Sequence, residues 1–138
     1  MRITLESDYA LRIVTLLAEK DKLVDAKTVA EHTQVSSKFA LKILHKLVQE
    51  GIVESFKGKN GGYMLKKDPS QITLKEIIEL IEGPIEIARC LGSEETCSMI
   101  RDKSACTYHH IFHKISLELA NKLSAITIED VINMNYSL

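Results

Sequence analysis

The sequence predicts a mainly α-helical fold with a single two-stranded β-ribbon. Apolar residues repeat at helical spacing in three segments before residue 50 and again in segments after residue 70. Between them, two short runs of β-forming residues flank the glycine-rich sequence GKNGG. With 138 residues, the chain can bury a core without cross-links. We therefore expect one domain, or a small domain with an appendage.

Three helices are expected at the start of the chain. Ser7 is the predicted cap of the first helix, and Asp25 is the predicted cap of a short second helix, AKTVAEHT. Ser36 or Ser37 caps the third, SKFALKILHKLVQE, and Gly51 provides its left-handed C-terminal end. The third helix has one inward apolar stripe, formed by Ala40, Ile43, Leu44 and Leu47.

The ribbon and the later helices follow in order. IVESFKG and GGYML read as strands, joined by a tight turn at Asn60-Gly61 that requires positive φ. Thr73 then caps a helix in TLKEIIELIEG, and Gly83-Pro84 closes it. A long helix is predicted from about Ser104 to Leu123, before a short helix in TIEDVIN.

Charge divides the chain into two parts. Residues 1–67 hold 12 Lys/Arg against 8 Asp/Glu, whereas residues 68–138 hold 6 against 11. A basic front and an acidic back are expected if only the front contacts nucleic acid. We accordingly predict a DNA-binding domain over 1–67, where the three helices and the ribbon have the order of a winged helix-turn-helix, and a second part over 68–138 with a cysteine loop and the later helices.

The third helix is the predicted recognition helix. Helix, turn, helix and glycine-tipped ribbon is the order of a winged helix-turn-helix, whose exposed helix face enters the major groove. Leu41 could contact a thymine methyl, and Lys57 and Lys59 in the wing are placed for phosphates or the minor groove. A protein- or RNA-binding winged helix is the alternative. The leading candidates for base contacts are Ser36, Ser37, Lys38 and Lys42.

The three cysteines of the chain, Cys90, Cys97 and Cys106, fall in one segment with the spacing C-x6-C-x8-C. Structural zinc sites use shorter knuckles, so the wide spacing favours an iron–sulfur cluster over zinc. Unligated redox-active thiols are a further alternative. In CTYHH, His109 and His110 share a helix face with Cys106, and His113 follows one turn later. One of these histidines is a candidate fourth ligand.

Other classes of protein find little support in the sequence. No apolar run approaches the length needed to span a bilayer, and the charged N-terminus is unlike a signal peptide. An odd number of cysteines argues against a disulfide framework, so we expect a cytoplasmic protein. Motifs for nucleophilic, phosphate-binding or zinc-dependent catalysis are missing, and we expect neither an enzyme nor a small-molecule substrate.

The sequence resembles one bacterial family of winged-helix regulators across nearly its whole length. This family includes the iron–sulfur cluster regulator IscR, the nitric-oxide-sensing repressor NsrR and the cysteine-metabolism repressor CymR. The matching stretches are MRIT and SDYALR, SSKFALKILHKLVQEGIV, FKGKNGGYML, ITLKEIIELIEGP, the three cysteines and ITIEDVI. The resemblance implies a homodimer that binds palindromic operators in double-stranded DNA, with one cluster per subunit.

The resemblance also implies a ligand set. Cys90, Cys97 and Cys106 match the family's three cysteine ligands, and His109 matches the fourth ligand of members that carry a [2Fe–2S] cluster. Asp8 matches the carboxylate that other members supply from the partner subunit to a [4Fe–4S] cluster. We take [2Fe–2S] as the first expectation and [4Fe–4S] as the alternative.

The expected function is that of a DNA-binding transcription regulator, a repressor, whose cluster senses redox state, nitric oxide or iron–sulfur supply. A cluster-free repressor controlled by thiol oxidation or a protein partner is the alternative. The long helix carries an apolar stripe that core packing alone could explain, but that in the family forms the dimer interface. Half-sites would then lie about one helical turn apart. The stripe consists of Tyr108, Ile111, Phe112, Ile115, Leu119 and Leu123.

Overall fold

A computed structural model describes residues 2–92, 97, 99 and 102–133. The elements of this part are α1 (Leu5–Lys20), α2 (Ala26–Thr33), α3 (Ser37–Gln49), β1 (Val53–Phe56), β2 (Gly62–Leu65), α4 (Leu74–Glu82), α5 (Thr107–Ser124) and α6 (Ile128–Asn133). Short 3-10 turns lie at Pro69–Gln71, Arg89–Leu91 and Lys103–Ala105. The predicted mainly α fold with a two-stranded wing is confirmed. No described helix is long and apolar enough to cross a bilayer.

The helix starts follow side-chain caps, with one correction. Asp25, Ser36 and Thr73 cap α2, α3 and α4 as predicted. The predicted cap of α1, Ser7, is wrong, because Thr4 Oγ1 accepts the bond from Ser7 N at 3.3 Å and the helix begins at Leu5. Ser7 lies in the first turn and is fully buried. Its hydroxyl is therefore available for a tertiary contact.

One hydrophobic core is built around α1. Its buried face packs against α2, α3 and β2, and also against α4 and α6. Ile72, Ile77 and Ile128 from the later part of the chain belong to the same core as the first three helices. The backbones of Ile72 and Ile128 are joined by an N–H···O bond of 2.8 Å. The division of function after residue 67 stays a prediction, whereas this core extends across it.

The wing is antiparallel and is held against the helices. Val53 pairs with Leu65 and Phe56 with Gly62, which leaves a five-residue loop, 57–61. The predicted tight turn at Asn60-Gly61 is wrong: positive φ occurs at Gly58 instead, and Gly61 N donates to Gly58 O at 3.0 Å. A loop of five residues does not need the two-residue turn that Asn-Gly favours.

A third backbone segment docks on the wing. Val24, between α1 and α2, exchanges N–H···O bonds of 2.9 and 2.8 Å with Tyr63. At the neighbouring Gly62, a Cβ would lie 2.6 Å from the carbonyl oxygen of Val24, so only glycine permits this approach. The wing is thereby fixed relative to the first two helices.

Candidate functional site

The outer face of α3 presents the predicted DNA-binding residues to solvent. Ser36 Oγ caps the helix by accepting Phe39 N at 3.4 Å. The inward stripe of α3 is buried as predicted, which leaves the opposite face open. Phe39 and Leu41 are large apolar side chains on this helix, 45% and 47% exposed. Also exposed there are Ser36, Ser37, Lys38 and Lys42.

A carboxylate of α1 pairs with two lysines of α3. Glu6 Oε2 lies 3.0 Å from Lys42 Nζ, and Glu6 Oε1 lies 2.8 Å from Lys46 Nζ. The hydrogen bonds from Lys46 and Lys42 lower the pKa of Glu6. The Lys42 ammonium also lies 5.8 Å from the ring centre of Phe39, and the rings of Phe39 and Tyr9 of α1 form a T-shaped pair. The cationic side of α3 is thus paired with α1.

The remaining candidate lysines are not paired in this way. Lys57 and Lys59 lie exposed in the wing loop, and Lys38 is exposed at the start of α3. In the part of the chain that the structure describes, no carboxylate forms a salt bridge with any of these three. All three lysines are therefore exposed, one on α3 and two in the wing loop.

The described ends of the cysteine segment, by which we mean residues 83–106, contact α5. Cys90 is half-buried in the 3-10 turn Arg89–Leu91, and Cys106 is half-buried as the residue that precedes α5. Both flanking 3-10 turns pack against α5. Lys103 Nζ donates to Gly92 O at 2.7 Å, and this bond connects the two 3-10 turns. Cys97 is exposed.

The histidines after Cys106 differ in what they contact. His110 Nε2 lies 2.6 Å from Ser104 O, and His113 is exposed. His109 is half-buried, and its ring is nearly parallel to that of His113 at 6.3 Å. Its Nδ1 is buried and has no hydrogen-bond partner among the described residues. Among the described histidines, His109 is therefore the one with a buried ring nitrogen that has no hydrogen-bond partner.

The structure does not bring the predicted ligands into one group. Among residues 2–92, 97, 99 and 102–133, no three His, Cys, Asp or Glu side chains converge at metal-binding distance. Asp8, the alternative ligand, is half-buried on α1 and forms a 2.6 Å salt bridge with Arg12. Arg12 in turn donates to Thr33 O at 3.4 Å. Asp8 is thus already paired within its own subunit.

A second carboxylate joins α4 to the start of α1. Glu82 Oε1 accepts from Thr4 N at 2.8 Å, Thr4 Oγ1 at 3.2 Å and Ser7 Oγ at 2.5 Å, and we call these three bonds the Glu82 clamp. Burial raises the pKa of Glu82, but the bonds from Ser7 and Thr4 outweigh it and hold the pKa below its usual value. The clamp lies immediately before Gly83, where the cysteine segment begins.

The apolar stripe of α5 is largely open to solvent. Ile111 is 46% exposed and Ile115 is 43% exposed, and Tyr108 is more exposed than either. The rest of the stripe, Phe112, Leu119 and Leu123, is half-buried. The only buried residue of α5 is the polar Ser116, whose Oγ accepts Ile87 N at 3.1 Å. Packing within the subunit leaves much of this stripe uncovered.

Sequence reasoning missed the residues that connect these parts. Glu6 and Lys46 pair with each other, and Phe39 lies near the Lys42 ammonium. Ser7 and Glu82 form the clamp. Lys42 and Lys46 are four residues apart and so lie on the same face of α3, which indicates that one carboxylate could pair with both. Nothing in the local sequence of Glu6 or Glu82 identifies that partner, because both contacts join distant helices.

The comparisons with known proteins agree with this architecture. Residues 3–134 match the Rrf2 family model, described as an iron-dependent transcriptional regulator. An HTH-type transcriptional regulator of Aquifex aeolicus is 33% identical over 127 residues, covering 91% of this chain and 88% of that protein. The transcriptional regulator NsrR of Shouchella clausii is 31% identical over 135 residues, covering 96% and 89%.

The fold matches a solved structure as well. CymR, the global cysteine regulator of B. subtilis, superposes with a TM-score of 0.77 at 27% identity, covering 96% of each chain. The expected family resemblance is therefore confirmed. Proteins of this family are transcriptional regulators, which also confirms the expectation that the chain is not an enzyme. The chain belongs to the Rrf2 family of transcriptional regulators.

Proposed function

We propose that the protein is a cytoplasmic, homodimeric repressor whose operator binding is controlled by an iron–sulfur cluster. The observation that carries this proposal is the buried Nδ1 of His109, unpartnered among the described residues and one turn after Cys106. A buried polar atom without a partner is costly, and coordination of that nitrogen to a metal ion would satisfy it. The family's description as iron-dependent supports the same cofactor.

The donor set fits such a cluster. Cys90, Cys97 and Cys106 would supply thiolates, and His109 would supply the fourth ligand of a [2Fe–2S] cluster. For a [4Fe–4S] cluster, the partner subunit's Asp8 is the alternative, and it would have to leave Arg12. When bound, such a cluster supplies one-electron redox chemistry and reactivity towards nitric oxide or oxidants.

The chain's own contacts offer a route from the cysteines to DNA. The segment between Glu82 and Cys106 is bonded to α5 where Ile87 N donates to Ser116 Oγ, and within the segment Lys103 Nζ donates to Gly92 O. Its start is tied to α1 by the Glu82 clamp, and α1 is tied to α3 through Glu6. A rearrangement of the segment would therefore move α1 and the recognition helix together, which changes the spacing of two helices in a dimer.

The DNA-binding surface we propose comprises α3 and the wing loop. Lys42→Ala should weaken binding at an operator selected by the wild-type protein, because a base-reading cation is lost. Lys59→Ala should mainly flatten the salt dependence, since it removes a phosphate contact worth about 0.9 in the salt slope. Unchanged affinity in both variants at moderate salt would remove this surface from the proposal.

The cofactor test begins with anaerobically purified protein, by absorption and EPR spectra with iron and acid-labile sulfide counted. His109→Ala should reduce the iron bound or alter the EPR signal, whereas the matched variant His110→Ala should not, since His110 contacts Ser104 O. Asp8→Ala tests the alternative ligand. Identical footprints of cluster-bound and cluster-free protein on DNA would refute control by the cluster.

A second candidate is a cluster-free repressor controlled by thiol oxidation or a protein partner. The exposure of Cys97 supports it, because an accessible thiol can react with oxidants or reach a partner. The likeness to CymR, a global cysteine regulator, favours the same alternative. Protein that contains no iron or sulfide after anaerobic purification, yet loses DNA affinity on oxidation, would establish it over the cluster.

A further inference from the structure

Glu6 holds two lysines of the recognition helix with its two oxygens. Lys42 and Lys46 are four residues apart on α3, and each ammonium approaches a different oxygen of the same carboxylate. The side chain of Glu6 is 23% exposed, that of Lys46 33% and that of Lys42 54%. Lys42 is thus the member on the solvent side, where a duplex would approach.

We propose that Glu6 competes with DNA for Lys42 and thereby weakens binding to every duplex. The proposal rests on the proposed docking of α3 in the major groove. Lys42 must leave Glu6 when it reaches a base edge or a phosphate. Glu6 then lies beside the DNA with only Lys46 to neutralise it, and a carboxylate at that place repels the phosphates.

The contact is weak enough to be exchanged. Lys42 is exposed, and ion pairs at the protein surface contribute little to stability, so DNA can displace the carboxylate from Lys42 without disrupting the fold. The carboxylate nevertheless stays ionised at neutral pH, because the ordinary pKa of a glutamate lies well below 7. Glu6 therefore acts as an internal anion that sets the affinity and the salt dependence.

The test compares Glu6→Gln with Glu19→Gln. Both remove one negative charge from α1, but Glu19 is exposed and lies thirteen residues along the helix, roughly 20 Å away. Fluorescence anisotropy would measure binding of each protein to a mixed-sequence duplex of about 30 base pairs and to an operator selected from a random library. Thermal unfolding would verify that both variants fold.

Glu6→Gln should bind both duplexes about twofold to tenfold more tightly at low ionic strength. Its plot of log affinity against log salt should be steeper by up to about 0.9, so the gain should shrink as salt increases. Glu19→Gln should match the wild type. In the Glu6→Gln background, removing the neutralising partner with Lys46→Met should cost less affinity than it does in the wild type.

Two results would overturn the inference while leaving the DNA-binding surface intact. If Lys42→Ala weakens binding but Glu6→Gln equals Glu19→Gln, Glu6 does not compete with DNA. If Glu6→Gln binds more weakly than the wild type, the carboxylate positions Lys42 for DNA. If Lys42→Ala has no effect on either duplex, the docking of α3 is wrong and the inference is refuted with it.

Discussion

The Glu82 clamp makes a sharp prediction about stability and signalling. Glu82→Ala removes the acceptor of three hydrogen bonds from the first turn of α1. The Thr4 N–H is exposed and can form a hydrogen bond with water instead, whereas the fully buried Ser7 hydroxyl cannot. The variant therefore leaves a buried hydroxyl with a single weaker neighbour, Thr4 Oγ1 at 3.4 Å.

The size of the effect follows from these contacts. A buried polar group that loses its partner costs about 1–3 kcal/mol, and a carboxylate at a helix N-terminus contributes about 0.3–1 kcal/mol. Because Glu82 itself is exposed, we expect about 1–2 kcal/mol in total. For a chain of this length that lowers the melting temperature by about 3–8 °C. Glu82→Gln keeps an acceptor and should cost less than half as much.

Urea and thermal unfolding would measure the loss, with Glu86→Ala as the matched control. Glu86 is exposed and lies four residues further along the chain. Ser7→Ala should cost about 0.5–1.5 kcal/mol alone. In a double-mutant cycle, Ser7→Ala should cost little once Glu82 is already alanine, because the two side chains share one bond.

The same variants test the route from the cysteine segment to DNA. Glu82→Ala should reduce the difference in operator affinity between cluster-bound and cluster-free protein, while Glu86→Ala should preserve it. If Glu82→Ala unfolds like Glu86→Ala, the clamp contributes nothing to the fold. A stability loss without any change in that affinity difference would refute its part in signalling.

Three further predictions follow from the geometry. Ile115→Glu places a charge on the exposed stripe of α5, so sedimentation should show a dimer for the wild type and a monomer for the variant; a variant that stays dimeric would place the interface elsewhere. Gly62→Ala drives a Cβ against the Val24 carbonyl and should destabilise the protein by about 1–3 kcal/mol in urea; no measurable change would mean that the wing is not held there. The lowered pKa values of Glu6 and Glu82 stabilise the fold above their ordinary value of 4.5, and this stability is lost as pH falls below it; melting curves of Glu82→Ala should therefore depend less on pH between about 5 and 3 than those of the wild type.

Much of the fold could be predicted because its signals are local. Three of the predicted cap side chains, those of Asp25, Ser36 and Thr73, accept a hydrogen bond from the backbone N–H three residues later. The apolar stripe of α3 likewise repeats every helical turn. The predicted start of α1 was wrong because threonine and serine are both good caps, so Thr4 and Ser7 were equally suitable. The Ser7 hydroxyl instead donates to Glu82. Local pattern cannot distinguish a capping hydroxyl from one that is needed across the fold.

The candidate site was predicted less completely, because its contacts join distant parts of the chain. The exposed faces of α3 and α5 follow from periodicity, which distinguishes buried from open sides. The pairing of Glu6 with Lys42 depends on how α1 crosses α3, and no spacing rule specifies that crossing. Likewise, spacing alone offered three histidines near Cys106. The family resemblance favoured His109, and the structure adds that its Nδ1 is buried without a partner among the described residues, whereas His110 contacts Ser104 O.

The single core around α1 restricts where the subunit can bend. Since α2, α3, α4 and α6 all pack on that helix, we expect the described part of the core to move as one unit. Helix α5 differs from these four helices. It contacts α4 and two of the 3-10 turns, and its apolar stripe is largely exposed. A change at the cysteines would then alter the angle between α5 and the rest of the subunit. In a dimer joined through α5, a small tilt at that junction becomes a larger displacement at the DNA.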